Sequence, residues 1–276
     1  MRPSLVIDAD GHITEPESVW TEYTSADMRD RVLQVTTQNG RSQVQVDGYS
    51  TNNNGPGPAE ACIPGGMEQG RNLTWADLLP GGYDPAARLD VLDEEGIDQA
   101  LLFPSVHLLW GDIRDVDVSA ETCRAYNNWM SDFCKTNPDR LFGMGIIPLQ
   151  DPETAAAETA RMADLGLRGV AIRPERFNGL ALYDERCDPI WKIAQSDDIA
   201  IGIHGSFGSR MKGFSSERYA DNIFYDHMIA HPFGQMAVMM DMIAGGVLDR
   251  FPHLRVGFFE SGLGWIPYWI DRLDEH

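Results

Sequence analysis

The sequence predicts an α/β fold, a parallel sheet with helical crossovers, and three observations carry that prediction. Short apolar runs alternate with helix-patterned segments from residue 84 onward. These runs lack period-two alternation, as strands buried on both faces do. Most of them end on a residue with chemistry to offer: Asp10 and His12, Ser105, Arg173, His204 and Glu260. In an α/β barrel the carboxyl ends of the strands are where sites form, and 276 residues is a length such barrels use as one domain.

The elements follow in order. Residues 5–7 read as a short buried strand that runs into Asp8, Asp10 and His12, with Gly11 between the last two. Residues 14–28, polar and aromatic, are expected to cover its end. Two β-patterned runs, 32–36 and 43–46, flank Asn39-Gly40, a strong hairpin signal. Residues 51–70 are rich in Asn, Gly and Pro and read as a loop. With too few apolar residues for a core of their own, residues 31–75 are expected to be an insertion into a single domain spanning 1–276.

A regular cadence begins at Asp84-Pro85, an N-cap followed by proline at the first helical position, and Gly96 ends that helix. Strand 99–103 precedes a helix over 119–135 that places Cys123, Tyr126, Met130 and Phe133 on one face. Strand 141–147 is followed by Asp151-Pro152 and a helix to Gly166. Strand 167–172 ends at Arg173-Pro174. Asp188-Pro189 is expected to cap the helix before strand 199–203 and His204. Two helices, 217–230 and 232–244, and a turn at 247–251 lead to strand 255–259 and a last helix over 264–273. Six strand–helix units are therefore expected, beginning near residues 5, 99, 141, 167, 199 and 255.

Composition narrows the function. A net charge of −20 disfavours nucleic acid and anionic membrane surfaces, both of which call for clustered Lys and Arg. An anionic substrate would need a local cation, a metal or a placed arginine. No apolar stretch approaches the roughly 18 residues of a membrane helix. Asp8 and Asp10 interrupt the only N-terminal apolar run, so no signal peptide is expected. The four cysteines, Cys62, Cys123, Cys134 and Cys187, form no C-x-x-C pair and read as reduced thiols of a cytoplasmic protein. No G-x-G-x-x-G follows the first strand, which disfavours a dinucleotide enzyme.

Residues two apart in a strand point the same way, so Asp10 and His12 can converge on one divalent metal such as zinc or manganese. An isolated Asp-x-His also occurs in polar turns, but His204 and Glu260 repeat the pattern of strand followed by ligand or acid–base residue. Arg173 is either a bidentate clamp for a substrate carboxylate or one half of a structural ion pair. His227 and His231 lie four apart, but Met228 follows His227, so the zinc-protease motif fails. His231 then lines the pocket in a catalytic role or caps a helix before Pro232. His107 and Trp110 either face substrate or sit in a solvated loop.

The Asp-Ala-Asp-Gly-His stretch, His204 after an apolar strand, and the run from Phe251-Pro252-His253 through Glu260-Ser261-Gly262-Leu263-Gly264-Trp265 resemble the amidohydrolase-2 group. That branch of the amidohydrolase superfamily includes aminocarboxymuconate-semialdehyde decarboxylase and the resorcylate decarboxylases. The resemblance implies a TIM-barrel-like (β/α)8 fold holding one divalent metal, zinc first and manganese as the alternative, on Asp10, His12 and His204. It puts Glu260 where decarboxylases often carry an acid–base histidine. The family's eighth-strand aspartate has no counterpart, and the last two units are expected to be absent. Implied activities are non-oxidative decarboxylation of a small carboxylate-bearing molecule, or hydrolysis of an amide, ester or lactone. A non-catalytic truncated barrel that binds a partner is the third reading. The aromatic tail, Trp265, Tyr268 and Trp269, together with an open sheet edge, points to a homodimer.

Overall fold

The computed structural model describes residues 4–38, 41–54, 77–106, 113–205 and 223–276. The strands are β1 (Ile7–His12), β2 (Gln34–Gln38), β3 (Arg41–Val46), β4 (Tyr49–Asn54), β5 (Gln99–Phe103), β6 (Leu141–Ile146), β7 (Gly169–Ile172), β8 (Ala200–His204) and β9 (Val256–Phe259). The helices are α1 (Ser18–Glu22), α2 (Pro85–Glu95), α3 (Val116–Lys135), α4 (Pro152–Leu165), α5 (Asp188–Ser196), α6 (Ile223–Ile243), α7 (Val247–Arg250) and α8 (Ile266–Asp274). Six strands form one parallel sheet in the order β1-β5-β6-β7-β8-β9. Each is separated from the next by at least one helix, as parallel pairing requires. These are the six expected strand–helix units of a TIM-barrel-like α/β fold, with β1 and β9 as the two edges of the sheet.

Register aligns the strand ends. His12 pairs with Phe103, Ile172 with Ile203, and His204 with Phe259. A flat sheet would separate β1 from β8, four strands along, by about 19 Å at ~4.8 Å per strand. The Nε2 atoms of His12 and His204 are instead 3.1 Å apart. The sheet therefore curls as a barrel wall, with its carboxyl ends facing one point. Phe103 floors that point, its ring centroid 4.8 Å from that of His204 and 4.7 Å from that of Phe259.

β2, β3 and β4 form a separate three-stranded antiparallel sheet. β2 and β3 pair antiparallel, as the expected hairpin requires, its Asn39-Gly40 turn lying outside the described residues. β4 reaches Asn54, within the stretch that reads as a loop. Val32, Leu33, Val44 and Val46 are buried in the same core as the barrel strands, which is how so short a segment buries its apolar residues. Arg31 ties it down, with Nε 2.8 Å from Asp47 Oδ1 and Nη2 2.9 Å from Asp115 Oδ2 at the start of α3.

Local chemistry explains the helix ends. The Asp84 carboxylate accepts the Ala87 N–H, and Gly96 takes φ +74° beyond α2. Asp151 does the same for Thr154, and Gly166 takes φ +78° beyond α4. Two expectations differ. Asp188 lies inside α5 and caps nothing; a 3-10 turn over Glu185–Cys187 precedes it, and the Asp184 carboxylate accepts the Arg186 N–H there. Asp188 instead pairs with Arg250 at 2.9 Å. Nor does Pro232 divide two helices: α6 runs through it. Proline removes the bond to the carbonyl four residues back, and Met228, which carries that carbonyl, is exposed, so water can replace the lost donor.

Replacing Asp151 with alanine should lower unfolding stability by about 1 kcal/mol in urea titrations at pH 7. The Thr154 hydroxyl and N–H hold the Asp151 carboxyl below its ordinary value of 3.8. The stabilisation is thus fully present above that value and disappears as pH falls through the lower folded one. The variant and the parent should converge in stability on acidification.

Candidate metal centre and its acid–base pair

β1 places the first two residues of the site. Its register slips between Asp8 and Gly11, where Asp8 Oδ1 accepts the Asp10 N–H. A side chain at Gly11 would meet Asp8 Oδ2 at 2.6 Å and the Leu101 carbonyl at 3.2 Å, so glycine leaves the Asp8 carboxylate undisturbed at the bend. Asp10 and His12 then face the same point, and β8 brings fully buried His204 to it. One ligand atom from each of the three lies within 4.8 Å of the others.

The two imidazoles are held by their far nitrogens. His12 Nδ1 lies 3.0 Å from the Pro104 carbonyl, and His204 Nδ1 lies 2.6 Å from the Gly205 carbonyl. A carbonyl only accepts, so each Nδ1 carries the proton. In the neutral tautomer each Nε2 then presents a lone pair. Those lone pairs point at each other across 3.1 Å. A proton on one Nε2 or a metal ion between the two makes that arrangement favourable, and metal-bound histidines are oriented by this kind of carbonyl contact. Asp10 Oδ1 is buried, accepts no hydrogen bond, and stands 3.4 Å from His204 Nε2. The set N, N and O, with one orphaned carboxylate oxygen, fits a divalent metal.

Electrostatics agree. Burial and the facing His204 lower the His12 imidazole below its ordinary value. Burial also works against charging His204, but Asp10 and Glu260 outweigh it and raise that imidazole. One positive charge is therefore favoured between the rings.

Glu260 follows β9 and spans the cluster and a second histidine. Its Oε1 is 3.9 Å from His12 Nε2 and its Oε2 is 3.2 Å from His231 Nε2. The residue has φ +56°. Burial pushes its carboxyl up, but the His231 hydrogen bond and the surrounding imidazoles prevail and bring it down to about 2. Buried His231 comes from α6, one residue before Pro232.

Of the expected site residues, Asp10, His12, His204, Glu260 and His231 thus come together. Arg173 is buried with its Nε 2.6 Å from Glu175 Oε1. His107 and Trp110 lie outside the described residues. Sequence reasoning missed the supporting groups. Fully buried Glu15 accepts the N–H groups of Ser105 and Val106 beyond β5. Fully buried Gln235 donates from Nε2 to the carbonyls of Ile203 and Phe259, pinning the ends of β8 and β9. A lone amide in the apolar stretch after Pro232 was the available signal for Gln235.

The amidohydrolase family model matches residues 7–276. The chain belongs to the amidohydrolase family. It is 26% identical over 193 residues to a 2-amino-3-carboxymuconate-6-semialdehyde decarboxylase of Dictyostelium discoideum, an alignment covering 70% of this chain and 51% of that one. The chain thus spans about half the length of this curated relative. Among solved structures, an amidohydrolase of Mycobacterium avium subsp. paratuberculosis K-10 matches with TM-score 0.78 and 22% identity, covering 100% of this chain and 78% of that one. A 5-carboxyvanillate decarboxylase of Novosphingobium aromaticivorans, solved with manganese and a nitrobenzoic acid, matches with TM-score 0.68 and 23% identity, covering 99% and 70%. Both structural likenesses show the shared barrel fold.

His12→Ala and His204→Ala should each weaken zinc and manganese uptake by at least about tenfold. Elemental analysis and titration calorimetry of the purified chain measure this. Uptake equal to that of the parent in both variants would remove the cluster as a metal centre.

Proposed function

We propose that this chain carries the metal-binding and acid–base part of a metal-dependent decarboxylase acting on a small, unsaturated or aromatic carboxylic acid. The observation that carries the reading is the facing pair of Nε2 lone pairs beside the orphaned Asp10 oxygen, with Glu260 next to them. The family membership and the decarboxylase relative support it. Zinc and manganese both suit a mixed carboxylate and imidazole set; a solved neighbour carries manganese. A divalent ion held there supplies Lewis acidity toward substrate oxygens.

The chain's own residues account for the proton. Glu260 takes up a proton from solvent on Oε1, which faces the cluster, while its Oε2 is fixed by His231. Delivered to the ring carbon that bears the carboxylate, the proton forms a C–H bond. The C–C bond then breaks, its electron pair returns to the ring, and carbon dioxide leaves. Buried His204 and half-buried His12, both tied by Nδ1, keep their rings fixed through the cycle.

Hydrolysis of an amide, ester or lactone is the second reading, favoured by one observation. His231 and the neighbouring imidazoles keep the Glu260 carboxylate ionised, the form that can accept a proton from water. Among the described residues no helix is long and apolar enough to cross a membrane. Cys123, Cys134 and Cys187 are buried free thiols, consistent with a reducing cytoplasm. Exposed Leu263, Tyr268 and Ile270 after β9 support a homodimer.

Glu260→Gln should lower turnover of a hydroxybenzoate-type acid by about a hundredfold or more while leaving metal content unchanged. Carbon dioxide release and elemental analysis report the two effects. Ester or lactone turnover without carbon dioxide release favours hydrolysis. Metal binding with neither activity favours a scaffold role.

A further inference from the structure

We infer that Gly205 is a positioning residue: its bare Cα is the seat that lets the His231 imidazole reach Glu260, while its carbonyl orients His204. The inference deepens the reading above, since it concerns the same acid–base pair. Two independent contacts meet at this one position. The carbonyl of Gly205 accepts from His204 Nδ1 at 2.6 Å, which aims Nε2 at His12. On the other side of the residue, a methyl group would stand 2.5 Å from His231 Nε2 and 2.8 Å from its Cγ. Ordinary carbon contacts lie near 3.5–4.0 Å, so about an ångström of displacement would be required.

His231 has little freedom to yield. Its ring is buried, its backbone belongs to α6, and Pro232 follows it directly. Three residues on, on the same face of α6, Gly234 lies against Pro174, where an added Cβ would meet Pro174 Cγ at 2.8 Å. The helix therefore approaches the strand ends closely at both glycines, and neither can accept a side chain without moving it. Displacing the ring opens the 3.2 Å contact to Glu260 Oε2. The mechanism needs that oxygen fixed so that Oε1 keeps its aim at the cluster. Gly205 is thus distinct from the groups that touch substrate: it acts through His231 and His204.

The test is a pair of double-variant cycles on the full chain. Gly205→Ala should retain metal, because the carbonyl persists, and should lower the thermal midpoint by on the order of 5 °C. In a His231→Ala background the same substitution should cost almost nothing, because the colliding ring is gone. This first cycle needs no substrate, so it stands even if decarboxylation is not the reaction. On turnover, Gly205→Ala should reduce kcat by about tenfold with KM within about twofold, and should add less than about twofold in the His231→Ala background. Equal midpoint losses in both backgrounds would overturn the seat. So would a kcat unchanged by Gly205→Ala in a folded, metal-loaded protein that loses kcat on His231→Ala. If Gly205→Ala does not fold alone, refolding upon addition of His231→Ala supports the seat, and failure of both rejects it.

Discussion

Everything at the functional end of this chain depends on the curl of one parallel sheet. β1 and β8 are not paired in the sheet, yet they supply imidazoles whose nitrogens meet at 3.1 Å. Only curvature converts a flat separation of about 19 Å into contact. That curvature rests on packing inside the wall. Fully buried Phe103 on β5 touches the rings of both β8 and β9, filling the space the curl encloses. Loosening the wall would therefore dismantle the ligand set before it exposed much of the core.

A layer of polar groups with no chemistry of their own keeps the strand ends in place. The Pro104 carbonyl fixes one imidazole and the Gly205 carbonyl the other. Gln235 ties the ends of β8 and β9 to α6, and buried Glu15 anchors the chain leaving β5. Each polar atom in this layer sits where the parallel ladder stops and backbone groups lose their partners. Satisfying those groups and orienting the site are one task.

At β7 and β8 the strand ends were legible because a buried parallel strand is an unbroken apolar run and the first polar residue after it marks the edge of the sheet. β1 departs from this, since residues 5–7, expected to be buried, are exposed at the sheet's edge and Asp8 and Asp10 lie within the strand. Asp10 and His12 followed from the period of two, and His204 and Glu260 from position. His231 was harder, since a helix position says little about which strand end it reaches. Gly205, Glu15 and Gln235 were invisible because their roles depend on distances between segments far apart in the chain. Arg173 was readable either way, and Glu175, two residues on and on the same side, was the clue to the pairing that forms. The misreadings at Asp188 and Pro232 share a cause: Asp-Pro and His-Pro signals were weighed locally. The 3-10 turn begun at Asp184 and the exposed carbonyl turn of α6 decided them instead.

Glu260 occupies the left-handed backbone region, where a side chain with a Cβ carries a conformational cost of about 1 kcal/mol that glycine escapes. Folding on its own would favour glycine there. The glutamate is held by what it touches: His231 on one oxygen and His12 facing the other. With Glu260 as the proposed acid–base residue, activity and foldability pull against each other at a single φ angle, and a variant library screened for thermal resistance alone would drift toward a firmer protein without that carboxylate.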